Sequence, residues 1–164
     1  MAEPILTRIE TNIETLIKAI RVSDGYNYDW LYANIPDMAK VQYPTALVTL
    51  NPDEVAIIDT GAHAGCYTCV DTFLITVVGT LLAEKEIPTF EINKIWNKTL
   101  DDLKKLFGTN YSLTVDGVCV CDTIQYISSR RVYKKNGDIF IPGHLESTWQ
   151  VTYSQDRQQP TQFA

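Results

Sequence analysis

Hydrophobic and polar positions divide the chain into stretches of different period. Leu6, Ile9, Ile13, Leu16, Ile17 and Ile20 recur at steps of three and four, with Arg8, Glu10, Asn12, Glu14 and Lys18 largely opposite. That pattern predicts a one-sided amphipathic helix from Pro4 to Arg21, with Pro4 in a first-turn position. Ser23-Asp24-Gly25 signals a stop and a turn, after which Tyr26, Tyr28 and Trp30 alternate as in a strand. Ile92, Ile95, Trp96, Leu100, Leu103, Leu106 and Phe107 line one face of a second helix, from Asn93 to Phe107, with Gly108 in the place of a C-terminal cap.

The other stretches have a strand-like period. "YPTALVTL" (Tyr43 to Leu50) and "VAII" (Val55 to Ile58) are short apolar strands on either side of an Asn51-Pro52-Asp53 turn. "VDTFLITVVG" (Val70 to Gly79) is β-branched and reads as a central strand. "GVCVCDTIQYI" (Gly117 to Ile127) is another. In "HLESTWQVTY", Leu145, Ser147, Trp149, Val151 and Tyr153 alternate with polar residues, so one face is core and the other wet. "SSRRVYKKNGDIFIPG" reads as a basic, mobile excursion with an Asn136-Gly137 turn. The order of helix, strands, helix, strands predicts an α+β fold: a mostly antiparallel mixed sheet with two helices packed on one face. The expected organisation is one domain over residues 1–153, followed by a polar tail over 154–164 that orders on a partner.

Composition narrows the function. The chain has 164 residues, enough to bury a core without staples, and a net charge of -6. An acidic chain repels a phosphate backbone, so specific nucleic acid binding is not expected. No apolar run reaches the length of a membrane span, and "MAEPILTRIE" lacks a secretory pattern. The expected compartment is the cytosol, where the four cysteines stay reduced.

The most specific chemical signal is "VAIIDTGAHAG". Two apolar residues before Asp59-Thr60-Gly61-Ala62 spell the catalytic turn of a retroviral-type aspartic protease, which gains its second carboxylate by dimerising. The context disagrees. Such enzymes are nearly all β, and "TVVG" (Thr76 to Gly79) follows Asp59 too closely to leave room for a flap. An ordinary turn explains the same residues: Asp caps, Thr bonds and Gly takes a positive φ.

Cys66 and Cys69 form C-x-x-C, Cys119 and Cys121 form C-x-C, and His63 lies near the first pair. Four thiolates satisfy zinc, but structural sites favour a turn that converges both sulfurs of each pair. The alternative for Cys119 and Cys121 is a pair of small core residues on one strand face. Neither His63 nor His144 adjoins a recognisable nucleophile. Asp101-Asp102 is expected on a solvated helix face. Arg130, Arg131, Lys134 and Lys135 form the local positive patch, either as a soluble hairpin or as a contact loop for an acidic surface such as a second copy of the chain. No catalytic residue, cofactor or resident metal is assigned.

From Ile5 to Pro160 the succession of segments resembles the tail terminator, or tail completion, proteins of long-tailed bacteriophages. It runs through the N-terminal helix into "SDGYNYDW", then "YPTALVTL", "VDTFLITVVG", "IWNKTLDDLKKLFGTN", "GVCVCDTIQYI" and a polar excursion, and ends with "HLESTWQVTY" leading to Pro160. The strongest elements are the helix into Gly25-Tyr26-Asn27 and the closing strand. The resemblance implies a structural protein, not an enzyme. The family forms a homo-oligomeric ring, typically of six copies, that caps the tail tube and docks it to the neck or connector. Its site is the virion's tail–neck junction after assembly in the host cytoplasm. Partners are the tail tube protein and a neck protein, with no membrane. The resemblance also implies a mixed sheet flanked by helices. The stretch from Asn51 to Cys69 departs from the pattern and makes Asp59 and His63 candidate contact residues. Another head–tail connector protein is the nearest alternative. A dimeric protease using Asp59 is the alternative from a different class.

Overall fold

The computed structural model describes residues 4–32, 43–50, 56–58, 66–78, 89–115, 118–136 and 139–156. The first helix, α1 (Ile5–Lys18), buries Ile5, Ile9, Ile13 and Ile17. It ends three residues before the expected Arg21 because Arg21 turns extended, at φ -135° and ψ 149°. A short 3₁₀ turn, Val22–Asp24, is closed by Gly25 at φ 81°. That left-handed conformation suits glycine, and a Cβ there would stand 3.1 Å from Lys105 Nζ.

Among the described residues eight strands follow the first helix: β1 (Leu31–Tyr32), β2 (Thr45–Leu50), β3 (Ala56–Ile58), β4 (Cys66–Val78), β5 (Leu113–Val115), β6 (Val118–Cys121), β7 (Thr123–Asn136) and β8 (Ile139–Asp156). The second helix, α2 (Thr89–Thr109), lies between β4 and β5. The main sheet runs β1-β2-β4-β8-β7, and β3 also pairs with β4. The β1–β2 pairing is parallel, and the other pairings among the described strands of this sheet are antiparallel. β5 and β6 form a separate hairpin. The expected α+β class and mixed sheet are therefore present.

One face of the sheet is core. Cys69, Asp71, Phe73, Ile75 and Val77 of β4 stand beside Tyr153, Val151, Trp149, Ser147 and Leu145 of β8 in register, and all are buried. Both helices contribute to the same buried cluster, α1 through its isoleucines and α2 through Ile92, Trp96, Leu103, Leu106 and Phe107. The opposite face carries Thr72, Leu74, Thr76, Thr148, Gln150 and Thr152, all half-buried. Ser147 occupies a core position for a reason. Its hydroxyl accepts from Trp149 Nε1 at 2.9 Å and donates to the Ile75 carbonyl at 3.4 Å. The large ring thus buries without an orphaned N–H.

Several expectations are corrected. Tyr26, Tyr28 and Trp30 do not form a strand, and Gly25 to Trp30 is irregular. The Asn27 and Tyr28 N–H groups go to a side chain instead of a ladder. Asp102 is buried, not on a solvated face. Its carboxylate accepts from Asn27 N (2.8 Å), Asn27 Nδ2 (2.8 Å), Tyr28 N (3.2 Å) and Trp30 Nε1 (3.0 Å). Asp101, its neighbour, is exposed as expected. Gly108 lies inside α2, and the helix end is held by Asn110, whose backbone N and Nδ2 both reach the Leu106 carbonyl at 2.9 Å.

The predicted strand Gly117 to Ile127 is two strands, broken where the Asp122 N–H turns to the Thr152 carbonyl at 2.8 Å. The predicted excursion from Ser128 is ordered ladder: β7 runs on to Asn136 and pairs with β8 back from Ile139. The Asn136-Gly137 turn reaches beyond the described residues. Two ladder shifts mark this hairpin. Ile127 is an extra residue on β7 and Gly143 an extra one on β8. β8 also continues through Ser154–Asp156, into the expected tail, and residues 157–164 lie outside the described part.

Asp102→Ala should cost about 3 kcal/mol in urea unfolding, because it strands backbone and side-chain donors in a dry site. Asp102→Asn should cost roughly half as much, since its amide oxygen still accepts some of them. A loss below about 1 kcal/mol for the alanine variant would show that the clamp is dispensable.

Candidate functional site

The register of β4 and β8 brings polar groups together inside the core. Tyr153 Oη donates to Asp71 Oδ2 at 2.9 Å, and Cys69 stands directly across the ladder from Tyr153. Burial pushes the Asp71 carboxyl above the usual carboxylate range, and the Tyr153 bond partly offsets that. Burial also raises the Tyr153 hydroxyl and the Cys69 thiol. A raised thiol is a poor nucleophile and a poor metal ligand. Elsewhere in the core, Tyr43 meets the Thr99 hydroxyl, and Thr99 donates to the Ile95 carbonyl at 2.9 Å. These polar groups brace one element against another and do not converge on an open cleft.

A second group lies where β7 and β8 leave the sheet. Arg130 pairs with Glu146 across the ladder, and His144 Nε2 approaches Glu146 Oε1 at 3.0 Å. The Arg130 guanidinium holds the Glu146 carboxyl below its usual range; His144 acts in the same direction, against partial burial. Arg131 reaches α2 instead, donating to Asn93 Oδ1 at 2.7 Å and Asn97 Oδ1 at 2.8 Å. Its guanidinium also lies 5.6 Å from the centre of the Trp96 ring, and Tyr133 meets that ring edge-on at 5.3 Å. The base of the hairpin is thereby clamped to α2.

Beside the start of β7 is a cleft of about 210 Å³, lined by Lys104, Phe107, Tyr111, Ile124, Tyr126 and Trp149, with Gly108 at its edge. Lys104 Nζ sits 4.5 Å over the Tyr126 ring. Tyr111 and Tyr126 are both exposed. The cleft is aromatic with one cation, suited to an apolar side chain with an acidic neighbour.

The residues singled out from sequence are dispersed. Asp59 and His63 lie outside the described residues. Lys134 and Lys135 stand on β7, opposite Ile141 and Phe140, with only their backbone described. Arg130 and Arg131 are exposed but engaged as above. Cys66 and Cys69 lie three residues apart on the extended strand β4, with no turn between them. The loop expected to reach Cys69 therefore ends before Cys66. Cys121 is buried, and its thiol contacts the Thr123 carbonyl at 3.1 Å and the Thr152 carbonyl at 3.5 Å. Cys119 is on β6, paired with Thr114. Among the described residues no cluster of His, Cys, Asp and Glu is large enough to hold a metal ion. No described helix is long and apolar enough to cross a membrane.

Sequence reasoning passed over Asp71, Tyr111 and Tyr126. Asp71 did carry a signal, because it falls in phase with the buried positions Cys69, Phe73 and Ile75. No protein-family model matches the chain, and no curated protein matches it.

Asp71→Asn provides a pH test of the core cluster. The folded carboxyl binds its proton more tightly than the unfolded one, so charging it opposes folding above the ordinary carboxylate range. The variant should be more stable than the parent at pH 7 by about 1 kcal/mol. The gain should shrink as pH falls toward the unfolded value and vanish near pH 3.8. Urea midpoints at several pH values measure this. A gain independent of pH would assign the effect to packing.

Proposed function

We propose that the chain is a structural assembly protein of a phage-like particle, a tail terminator subunit. In this reading it forms a ring, typically of six copies, that caps the tail tube and joins it to the neck, after assembly in the host cytoplasm. The observation that carries the reading is architectural. Among the described residues a mixed sheet is packed by two helices, and a mixed sheet flanked by helices is what the sequence resemblance implies. The placement of polar groups supports it. Asp71, Thr99, Asp102 and Ser147 are buried in bracing contacts, whereas Tyr126, Arg130, Arg131 and Tyr133 stand exposed on a long hairpin. Such a distribution suits a protein whose work is contact. A different neck or connector protein shares this chemistry and differs in where it binds.

The protease alternative asks for an all-β chain. Here α1 and α2 supply a large part of the buried core, so the fold gives that alternative no support. Asp59 itself lies beyond the described residues, and its role is a matter for assay.

The reading makes a direct prediction. Purified protein mixed with tail tubes, built from the tube protein of the same genome, should appear by negative-stain electron microscopy as a closed ring at one end of each tube. Decoration along the tube sides, or no binding, would refute it. Pepstatin-sensitive peptide cleavage that disappears in Asp59→Asn would establish the protease instead.

A further inference from the structure

We propose that the cleft beside the start of β7 is a docking site for an acidic peptide segment of a partner protein, with an aromatic side chain of that segment over Gly108 and a neighbouring carboxylate at Lys104. Ring closure is not required for this, so the ring and the docking site stand or fall separately.

The glycine is the first observation. Gly108 lies within α2, where alanine is the better helix former. Neither usual reason for a glycine applies to it. Among the described glycines only Gly25 takes a positive φ. A Cβ added at Gly108 would meet nothing within 4 Å, so no described neighbour presses on the position. Gly108 lines the cleft, and the side chain it lacks leaves room there for a group from outside.

The walls are already fixed. The Tyr111 carbonyl accepts from Ile124 N at 2.8 Å, which ties the segment after α2 to β7. The Tyr126 ring stands edge-on to Trp149 at 5.3 Å, and its hydroxyl donates to Ser129 Oγ at 2.9 Å. Phe107 packs on Trp149 with ring centres 4.6 Å apart. An entering ring meets aromatic groups held in place, at little ordering cost. Tyr111 and Tyr126 are nonetheless 62% and 37% exposed. Such walls cover one side of an occupant. A small molecule needs most of its surface buried, whereas a side chain on a polypeptide brings its own cover.

The charge at the site is that of one lysine. Lys104 Nζ lies 4.5 Å over the Tyr126 ring and makes no ion pair among the described residues. The acids near it in the chain supply no partner. Asp101 is exposed one turn back, Asp102 is bonded to Asn27, Tyr28 and Trp30, and Asp122 accepts from Ser154 Oγ at 3.4 Å. Lys105 is turned away, to the Gly25 carbonyl at 2.9 Å. The last carbonyls of α2 repel an anion. The carboxylate therefore belongs at Lys104, a turn before the helix end, and the uncharged ring at Gly108.

The test is an amide-resolved NMR titration of the whole chain with the blocked peptide acetyl-Gly-Phe-Asp-Gly-amide. It should shift the amides of Gly108 and Tyr111 and the Trp149 indole N–H, saturating at millimolar concentration. Acetyl-Gly-Phe-Asn-Gly-amide should bind about three-fold more weakly, as one exposed ion pair allows. Lys104→Gln should remove that difference. Gly108→Leu should fill the cleft and remove binding of both peptides, with the circular dichroism of the parent. If Gly108→Leu does not fold, acetyl-Gly-Ala-Asp-Gly-amide takes its place, and should leave the parent's amides unmoved. Absence of saturating shifts at those groups would overturn the site. So would equal affinity of the parent for the aspartate and asparagine peptides, or the parent's affinity in folded Gly108→Leu. Equal binding of N-acetyl-phenylalanine would reassign the cleft to a small carboxylate. The same shifts on concentrating the protein alone would reassign it to a second copy.

Discussion

A single buried carboxylate fixes the irregular segment that joins the first helix to the sheet. Asp102 projects from α2 into a segment with no regular structure and takes four N–H groups from Asn27, Tyr28 and Trp30. All four are neutral donors. The cost of removing the charge from water is therefore offset by charge-assisted bonds from dipoles, without reliance on a salt bridge. The geometry fixes where Trp30 is buried, and Trp30 N in turn bonds to the Ile20 carbonyl at 3.1 Å. The next residue begins β1. Lys105 completes the clamp one helical turn on, from α2 to the Gly25 carbonyl and over the Tyr26 ring at 4.5 Å. The position of the β1 edge thus depends on a helix more than seventy residues later in the chain.

That dependence explains what the sequence made legible. Helix faces were readable because burial on one side leaves a period, and Ile9, Ile13 and Ile17 or Trp96, Leu103 and Phe107 display it without ambiguity. β8 was readable for the same reason, since one of its faces is core along Leu145 to Tyr153. Asp102 was misread because charge suggested solvent. Its position told otherwise: Ile92, Ile95, Thr99, Asp102 and Leu106 follow the helical steps of three and four, so the carboxylate lies within the inward stripe. A charged residue in phase with a core face needs a partner, and the neighbouring aromatic-rich loop is where that partner was found.

β7 was illegible for a different reason. From Gln125 to Arg131 its residues are exposed on both faces, so no alternation survives in the side chains. Its existence as a strand rests on main-chain bonds to β8, and sequence carries those only through the partner. Ser128 to Arg131 therefore looked like loop and is ladder. The C-x-x-C spacing likewise carried no sign of its backbone. A spacing of three residues has metal-binding meaning on a turn, and Cys66 to Cys69 is extended.

An outer strand whose residues from Gln125 to Arg131 are exposed needs control, because nothing in a ladder says where addition must stop. The bulge at Ile127 and the cations beyond it are devices of that kind: one bends the strand, the other penalises like neighbours. Neither abolishes pairing with a surface of complementary charge. Sheet twist adds a geometric condition. Adjacent strands rotate by roughly 20–25°, so the β1 and β7 edges of a five-strand path are turned well away from parallel. That twist is held in place by the buried row Phe73, Ile75, Leu145 and Trp149 and by the Asp102 clamp together, so the direction of each outer strand is set by the core.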